Sequence, residues 1–443
     1  MTERPDYDLI ILGLGTAGAS LARAAARRGL RVFGIDNRAL GEAGARWVNG
    51  VPRWCFEAAE LDPPRHPELR ADGEGFHMIA GWGPRRVTVP SAGLLEVDMR
   101  ALVARLQAEA AAAGATLRGE LRATSLDPAG ASWSVALSSG ERVGAALVVD
   151  ATGLGGCGLV SSHRPDRRDL CVAAQAVHEI ADIDAAKAFF AKHKVPVGDA
   201  AVFTGVAGGY SIVNVRADIS QHTAEDGGAP PTISILTGAI PGGGHTPGTV
   251  LLERFLEANP WIGPRIFGGA RAIPIGPPAG VLFEGGVLRV GDAAGMVFAA
   301  HGSGIGLHLL VGADLATHLA AGRSPEAWQA RFHRRFGGMI CASVAFARFS
   351  ATIDGALLER LLASGLLSPN LMRAGLLQHP MRPGAGDLPG LLLAALRGPE
   401  LVRRLAPTLL QMQRLELHHL RVPEGGAELH RWLAARDRLL GGS

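Results

Sequence analysis

The chain has 443 residues, 60 of them glycine, and its net charge at pH 7 is +3. Glycine at about twice its usual ~7% share, with 47% hydrophobic but only 5% aromatic residues, excludes a disordered chain and favours close backbone packing. No basic stripe concentrates the positive charge, so we expect no nucleic-acid partner.

Cysteines and apolar runs limit the class of protein. The four cysteines are scattered without a C-x-x-C pair, so neither a disulfide framework nor a metal site is indicated. A strand begins near Tyr7, so no signal peptide is expected, and no apolar run reaches the ~18 residues of a membrane-spanning helix. We therefore expect a cytoplasmic protein with reduced thiols.

The first elements in the chain form a strand–helix–strand unit. Residues 7–13 are a short apolar strand, the helical pattern that follows ends at Gly29, and residues 30–36 form a second buried strand. Between the first strand and the helix lies Gly13-x-Gly15-x-x-Gly18, and Asp36 ends the second strand. In this context the glycines permit a tight turn, close approach of a pyrophosphate and close helix packing, while Asp36 can accept hydrogen bonds from ribose hydroxyls.

The next segments are less regular. A region rich in glycine and tryptophan, about 41–93, predicts a long loop, and it is followed by a helix at 98–113. Further strands are predicted at 116–124, 132–138 and 145–150, and the last of these ends in Asp150-Ala-Thr152-Gly153. The glycine-rich sequence that follows is not succeeded by a helical pattern, so it predicts no second nucleotide site.

The second half of the chain changes from strands to helices. Residues 170–245 alternate apolar runs with turn residues and predict one antiparallel sheet, followed by a helix at 249–258. A strand then leads to Gly291-Asp292, and Gly302-x-Gly304 opens a helix at about 303–321. From Ser324 onward the pattern is helical, with breaks predicted at Pro369, Pro380 and Pro407.

The acid at 292 and the helix opening near 304 predict a second contact edge for a long ligand. An acid at a strand end, followed by a helix N-terminus, suits a phosphate or a polar ring edge. These residues lie far along the chain from the first glycine motif, so both would have to converge on one nucleotide.

In this order, the three motifs resemble the FAD-binding pattern of glutathione-reductase-like flavoproteins of the para-hydroxybenzoate hydroxylase type. The resemblance implies that the first motif holds the ADP half of FAD, that Asp292 binds the ribityl chain, and that the helix after Gly304 points at the flavin pyrimidine edge. It also matches Arg100 to an arginine near the pyrophosphate and the strand at Ala123 to the adenine contact. The cofactor-binding residues it implies are Gly13, Gly15, Thr16, Ala17, Gly18, Asp36, Asn37, Arg38, Arg100, Ala123, Thr152, Gly153, Gly291, Asp292, Gly302, Gly304 and Ile305.

Within that superfamily, the stretch from 271 to 295 and the helical tail look most like geranylgeranyl reductases and their lycopene-cyclase relatives. Pro52-Arg-Trp-Cys55 matches a P-x-x-C of prenyl reductases, whereas only Tyr210 remains of their Y-x-W-x-F-P motif. His301 stands beside the expected flavin position. Cys55, Tyr210 and His301 are therefore the catalytic candidates, although packing roles for a buried thiol and a turn histidine remain open.

The resemblance implies an α/β fold (α+β overall): a Rossmann-like FAD-binding domain, an inserted antiparallel β-sheet substrate domain and a helical C-terminal region. The expected divisions are 1–169 with a loop insertion at about 41–95, 170–265, 266–322 and 323–443. The expected function is FAD-dependent oxidation or reduction of an apolar small molecule, most simply reduction of isoprenoid or polyketide-like C=C bonds. NAD(P)H or a partner reductase would supply electrons.

Other functions remain open. A flavin-dependent monooxygenase would share these motifs, but a halogenase of this superfamily needs a lysine beyond the first βαβ unit, and the only lysines are Lys187, Lys192 and Lys194. A redox-neutral cyclase would need an acid aimed into an apolar cavity. A flavin-binding protein without turnover is the non-enzymatic alternative. The apolar tail could also support peripheral membrane contact. The oligomeric state is left open.

Overall fold

The computed structural model describes residues 5–73, 75–91, 93–219, 230–380 and 384–441. In the first third of the chain it forms a mixed series of strands and helices: β1 (Tyr7–Leu12), α1 (Thr16–Ala26), β2 (Val32–Ile35), β3 (Val48–Pro52), α2 (Arg53–Ala58), β4 (Leu69–Asp72), β5 (Phe76–Ala80), β6 (Arg86–Val89), β7 (Leu94–Asp98), α3 (Met99–Ala112), β8 (Thr116–Arg118), β9 (Ala123–Ala129), β10 (Ser132–Leu137) and β11 (Arg142–Asp150).

The middle of the chain is mainly β and returns to a helix at its end. Its elements are β12 (Leu170–Ile180), α4 (Ile183–Lys192), β13 (Ala200–Thr204), β14 (Ser211–Asp218), β15 (Thr232–Ala239), α5 (Gly248–Glu257), β16 (Ile262–Pro274), β17 (Phe283–Glu284), β18 (Val287–Arg289) and α6 (Ile305–Ala320).

A parallel sheet forms the centre of the first layer. Its strand order is β17-β18-β11-β1-β2-β8, and the hairpin of β9 and β10 extends it from β11. β1 pairs in parallel with both β2 and β11, and β11 pairs in parallel with β18. All parallel strands end at one edge, so the turns after β1, β2, β11 and β18 meet there, which is where α/β folds bind ligands.

Small residues let two helices pack closely beside this sheet. All eleven residues of α1 are buried. A Cβ at Gly312 of α6 would lie 2.5 Å from the Ser20 hydroxyl of α1, so only glycine permits this approach. The alanine and glycine content therefore serves helix contact, with α1 and α6 sharing one hydrophobic core.

The prediction of a long loop at 41–93 is wrong. Strands β3 to β6 and helix α2 occupy it, and β7 follows immediately. β5 and β6 join the sheet of the middle segment, whereas β3, β7 and β4 form a separate three-stranded sheet. These strands have only four or five residues, and although β5 and β6 form a local hairpin, β5 also pairs in parallel with the distant β13, so the local sequence pattern did not indicate them.

A seven-stranded sheet carries the predicted antiparallel segment, in the order β16-β12-β15-β14-β13-β5-β6. Apart from the β5–β13 pair, its pairings are antiparallel. β16 runs through residue 265, where the sequence suggested a boundary. The buried Gln175 amide joins this sheet to the three-stranded one, since its Oε1 accepts from Val48 N (2.5 Å) and its Nε2 donates to Val48 O (2.6 Å).

The C-terminal part is helical, as predicted. Its helices are α7 (Pro325–Phe332), α8 (Gly338–Ala351), α9 (Gly355–Ser364), α10 (Pro369–Leu376), α11 (Leu388–Arg397), α12 (Pro399–His418) and α13 (Gly426–Leu439). Pro369 begins α10, but the predicted break at Pro407 is wrong, because Pro407 lies inside α12. The buried face of α12, which includes Leu405 and Met412, offsets the hydrogen bond that proline removes.

Within the described ranges, no helix combines the length and the apolar character needed to cross a bilayer.

Candidate functional site

The turn after β1 can be formed only by glycine. Gly13 has φ +90°, and a Cβ there would lie 2.5 Å from the carbonyl oxygen of Ala151. A Cβ at Gly18 would lie 1.8 Å from the carbonyl oxygen of Gly13. Strand, turn and helix are therefore in backbone contact, and the free N–H groups at the start of α1 face the sheet edge.

A continuous cleft of about 630 Å³ runs along this edge. It brings together the turns after β1, β2 and β11, the segment that leads into β9, and the start of α6. Fourteen of the seventeen residues predicted for cofactor binding line it: Gly13, Gly15, Thr16, Ala17, Asp36, Asn37, Arg38, Ala123, Thr152, Gly153, Asp292, Gly302, Gly304 and Ile305.

Asp36 closes one end of the cleft. Its buried carboxylate accepts hydrogen bonds from the backbone N–H groups of Leu14 (2.8 Å) and Arg38 (3.0 Å), so it ties the turns after β1 and β2 together. A carboxylate has about four acceptor positions, so lone pairs remain for ligand hydroxyls. Leu121, whose backbone N–H donates to the carbonyl oxygen of Asp36 (2.9 Å), lines the same end of the cleft together with Ala123 and Thr124.

Asp150 organises the wall after β11. Its Oδ1 accepts from the amide (3.0 Å) and the hydroxyl (2.6 Å) of Thr152, and its Oδ2 accepts from the amide of Cys157 (2.9 Å). These three bonds fold residues 151–157 into a tight turn whose glycines line the cleft. The acid itself is buried and acts through the backbone that it holds.

The other end of the cleft is built by the turn after β18 and by the start of α6. Gly291 does not line the cleft, but a Cβ there would lie 2.7 Å from Ala17 Cβ, so this turn packs directly on α1. Gly302, Ser303, Gly304 and Ile305 bring a second helix N-terminus to the cleft. Two positive helix ends therefore face one cavity, an arrangement that favours an anionic or electron-rich ligand.

Asp292 and His308 lie together at this end. His308 Nε2 is 3.5 Å from Asp292 Oδ1, too far for a good hydrogen bond. Burial lowers the pKa of the His308 imidazole, and the Asp292 carboxylate only partly opposes this shift. A neutral imidazole thus lies behind the acid that the sequence predicts to contact the ligand.

Three buried polar atoms in the cleft lining have no hydrogen-bond partner among the described residues: Trp47 Nε1, Ser303 Oγ and His308 Nε2. Their side chains are more than nine-tenths buried. Buried polar groups in proteins almost always find partners, so a ligand with polar groups along its length suits this lining. FAD is such a ligand, and the residues present fit it.

Arg271 of β16 is a cleft residue that sequence reasoning missed. Its Nη2 donates to the carbonyl oxygen of Gly44 (3.1 Å), and within the described residues no carboxylate pairs with it. Gly44 touches Gly15, since a Cβ at Gly15 would lie 3.1 Å from Gly44 Cα. The guanidinium therefore lies close to the start of α1. Only its position in a glycine-rich stretch could have drawn attention to it.

Arg100, which the sequence assigned to the pyrophosphate, does not line the cleft. Its Nε and Nη2 donate to the two oxygens of Asp98 at 3.0 and 2.6 Å. Its guanidinium carbon lies 3.5 Å from the ring centroid of Phe267. This side chain is therefore occupied at the junction of α3 and the seven-stranded sheet.

The three catalytic candidates also lie outside the lining. Cys55 packs against Gly306 of α6, and burial raises the pKa of its thiol to about 12, so the thiol is protonated at neutral pH. The Tyr210 hydroxyl donates to Ala299 O (3.0 Å) beneath the turn that contains Gly302. Burial lowers the pKa of His301 to about 4, and its Nε2 has no hydrogen-bond partner in the described part of the chain. Their catalytic roles stay predictions.

Solved structures share this fold. A geranylgeranyl bacteriochlorophyll reductase-like protein from Thermoplasma acidophilum is 18% identical, with a TM-score of 0.68 over 91% of this chain and 99% of that one. Halogenase PltM is 17% identical, with a TM-score of 0.62 over 98% and 95% of the two chains, and PltM has also been solved with FAD. The myxobacterial FAD-dependent halogenase CndH is 16% identical, with a TM-score of 0.59 over 88% and 96%.

No protein-family profile matches the chain. Identities this low establish the fold alone. The predicted α/β fold class is therefore confirmed, with a parallel Rossmann-like sheet, added antiparallel sheets and a helical C-terminal region.

Proposed function

We propose that the chain is an FAD-dependent oxidoreductase that acts on an apolar small molecule. The observation that carries this proposal is the single cleft that joins segments separated by more than 250 positions, from Gly13 to Ile305, and places two helix N-termini on it. An ordinary glycine-rich turn would not need the second helix end or the acid at 292.

Each part of the cleft suits a part of FAD. Asp36 would accept from the adenosine ribose, and the turn and helix start at Gly13–Ala17 would donate to the pyrophosphate. We assign the pyrophosphate cation to Arg271, because this guanidinium borders the cleft and keeps donors free. Asp292 would accept from the ribityl chain, and the start of α6 would face the flavin ring.

Bound FAD would supply hydride or single-electron transfer to the substrate. The chain contributes binding, orientation and exclusion of water. At the α6 end, Trp47, Ile273 and Val297 give the cleft an apolar wall where the seven-stranded sheet meets the nucleotide-binding layer. An apolar substrate would find its environment at this wall, between the sheet and the helical region.

We favour reduction of a C=C bond, with electrons from NAD(P)H or a partner reductase. The similarity to a geranylgeranyl reductase-like structure and the resemblance of Pro52-Arg-Trp-Cys55 to a prenyl-reductase motif support this choice. A terpenoid or polyketide-like alkene is the substrate class that follows.

Monooxygenation is the second candidate, because halogenases share the fold. Halogenation is the weaker form of this candidate. The three lysines of the chain lie at 187, 192 and 194, in or just after α4, and none lines the cleft. A halogenase of this superfamily would need such a lysine near its flavin.

The mass of the product distinguishes the reactions. The purified protein, loaded with FAD, is reduced without oxygen and then mixed with a set of isoprenoid and polyketide-like alkenes, once without oxygen and once with it. The proposal predicts a product heavier by two hydrogens in the anaerobic reaction. A product that forms only with oxygen and gains one oxygen atom would favour monooxygenation, and an isomer of unchanged mass would favour a cyclase.

A further inference from the structure

Exposed leucines are concentrated in one part of the molecule. Eleven large hydrophobic side chains are exposed in the described part of the chain, and eight of them lie between residues 388 and 420. They belong to α11, to α12 and to the turn after α12. A concentration of this kind marks a surface that meets a partner.

The described side chains of helix α11 form no polar outer face. Leu388, Leu392 and Leu396 follow one another at intervals of four residues, which places them on one side of the helix. Leu392 is 64% and Leu396 is 73% exposed, whereas Ala394 is buried. A helix this apolar is normally covered, so its exposed side is suited to a non-aqueous neighbour.

Helix α12 combines leucines with positive charge on its outer side. Its buried face includes Leu401, Leu405, Met412 and Leu415, and it packs towards α8. Leu410 and the 66% exposed Leu417 lie on the other side. The exposed charged residues of α12 are Arg403, Arg404, Arg414 and Glu400, and Glu400 is paired with Arg360. Leu420 and Arg421 continue this surface beyond the helix end.

We propose that this α11–α12 surface, formed by the exposed leucines at 388–420 and the arginines at 403, 404, 414 and 421, docks on an anionic phospholipid bilayer. Leucines enter the boundary between headgroups and acyl chains, while guanidinium groups bind lipid phosphates. The charge argues against a second copy of the chain as the occupant, because a two-fold contact would place the arginines of one copy against those of the other. The exposed carboxylate described in α12, that of Glu400, is already paired with Arg360 and could not neutralise them. The proposal does not depend on the proposed function.

Vesicle co-sedimentation of the full chain tests this proposal. Vesicles of neutral phosphatidylcholine are compared with vesicles containing about one quarter phosphatidylglycerol, at low and at about 0.5 M salt. We expect the protein to sediment with the anionic vesicles at low salt. Its affinity for the neutral vesicles should be lower by about tenfold or more.

Three variants separate the two contributions. Leu392→Asp with Leu396→Asp should abolish sedimentation, whereas Arg403→Gln with Arg404→Gln should reduce the preference for anionic lipid, since Arg414 and Arg421 remain. The control is Val197→Asp, which places an aspartate at an exposed apolar site outside this surface and should bind like the unsubstituted protein. An unchanged Tm in each variant shows that folding is intact.

Several results would overturn the proposal. The first is that the unsubstituted protein does not sediment with anionic vesicles. The others are that it binds neutral vesicles as well as anionic ones, or that Val197→Asp loses as much vesicle binding as the leucine variant. Light scattering on a sizing column tests the other occupant. If the unsubstituted protein is a dimer that the leucine variants convert to monomers while vesicle binding is unaffected, the surface is an interface between two copies.

Discussion

The acids and cations of the cleft fall into two groups at the scale of single residues. Asp36 and Asp150 are buried and already accept hydrogen bonds from the backbone turns that they stabilise. Asp292 and Arg271 each keep free acceptors or donors on the cleft. The second pair is therefore where substitution should change ligand binding with the least effect on folding.

Asp292→Ala should weaken FAD binding. A hydrogen bond to a charged group contributes about 1.5–3 kcal/mol, so we expect the Kd for FAD to rise by about 10- to 100-fold. Fluorescence titration of the apoprotein with FAD measures this change. Asp184→Ala, in an exposed position of α4, is the control, and an unchanged Kd for Asp292→Ala would refute the assignment of this acid.

The two arginines provide a direct comparison between sequence and structure. Arg271→Met should raise the Kd for FAD by about tenfold or more, because a charge-assisted phosphate contact is lost. Arg100→Met should leave the Kd nearly unchanged and lower the Tm instead, since Arg100 pairs with Asp98 and stacks on Phe267. The opposite pattern in the same titration would restore the sequence-based assignment of Arg100.

At the scale of elements, the strand–turn–helix at the start of the chain was predictable and the loop region was not. Gly13 and Gly18 occupy positions that backbone contact forbids to other residues, so their spacing carries structural information by itself. β5 pairs with β13, more than 100 residues later, and no local pattern encodes that contact, whereas β6 joins the sheet through its hairpin with β5. Arg271 was missed because its position at the cleft also depends on a distant contact, the one with Gly44.

Gly18→Ala tests the element directly. The added methyl group would meet the carbonyl oxygen of Gly13, so α1 must move away from β1. Overpacking of this kind costs about 1–3 kcal/mol, and here the obstacle is backbone. We expect a clear decrease in Tm together with loss of FAD binding. Gly41→Ala, where no atom lies within 4 Å and φ is not positive, should keep both properties; equal behaviour of the two variants would contradict this account.

For the whole molecule, buried histidines predict acid sensitivity. Burial lowers the pKa of His301 and His419 to about 4 and that of His333 to about 3, against an ordinary value of 6.5. The unfolded chain therefore binds more protons than the folded chain between about pH 6.5 and 4, and the free energy of unfolding decreases as the pH falls through this window.

Urea unfolding at pH 7.5 and at pH 5 measures this effect. We expect a lower midpoint at pH 5, and His419→Asn should reduce the difference between the two midpoints. His430→Asn, at an exposed position of α13, should leave the difference unchanged. A midpoint that is independent of pH over this range would show that these imidazoles are not held neutral by burial.

The composition of the whole chain also has a structural explanation. Glycine and alanine allow α1, α6 and the turns to approach one another around the cleft, whereas the surplus leucines lie on the outer side of α11 and α12. The sequence pattern suggested helices in both places. It could not tell which apolar faces are covered, because that depends on tertiary packing.

The central claim is that the cleft holds FAD. The most direct measurement is the absorbance spectrum of the purified protein, followed by denaturation and identification of the released compound by mass. We expect a yellow protein that releases FAD, or an apoprotein that binds added FAD with one molecule per chain. A colourless protein that does not bind added FAD would contradict the account.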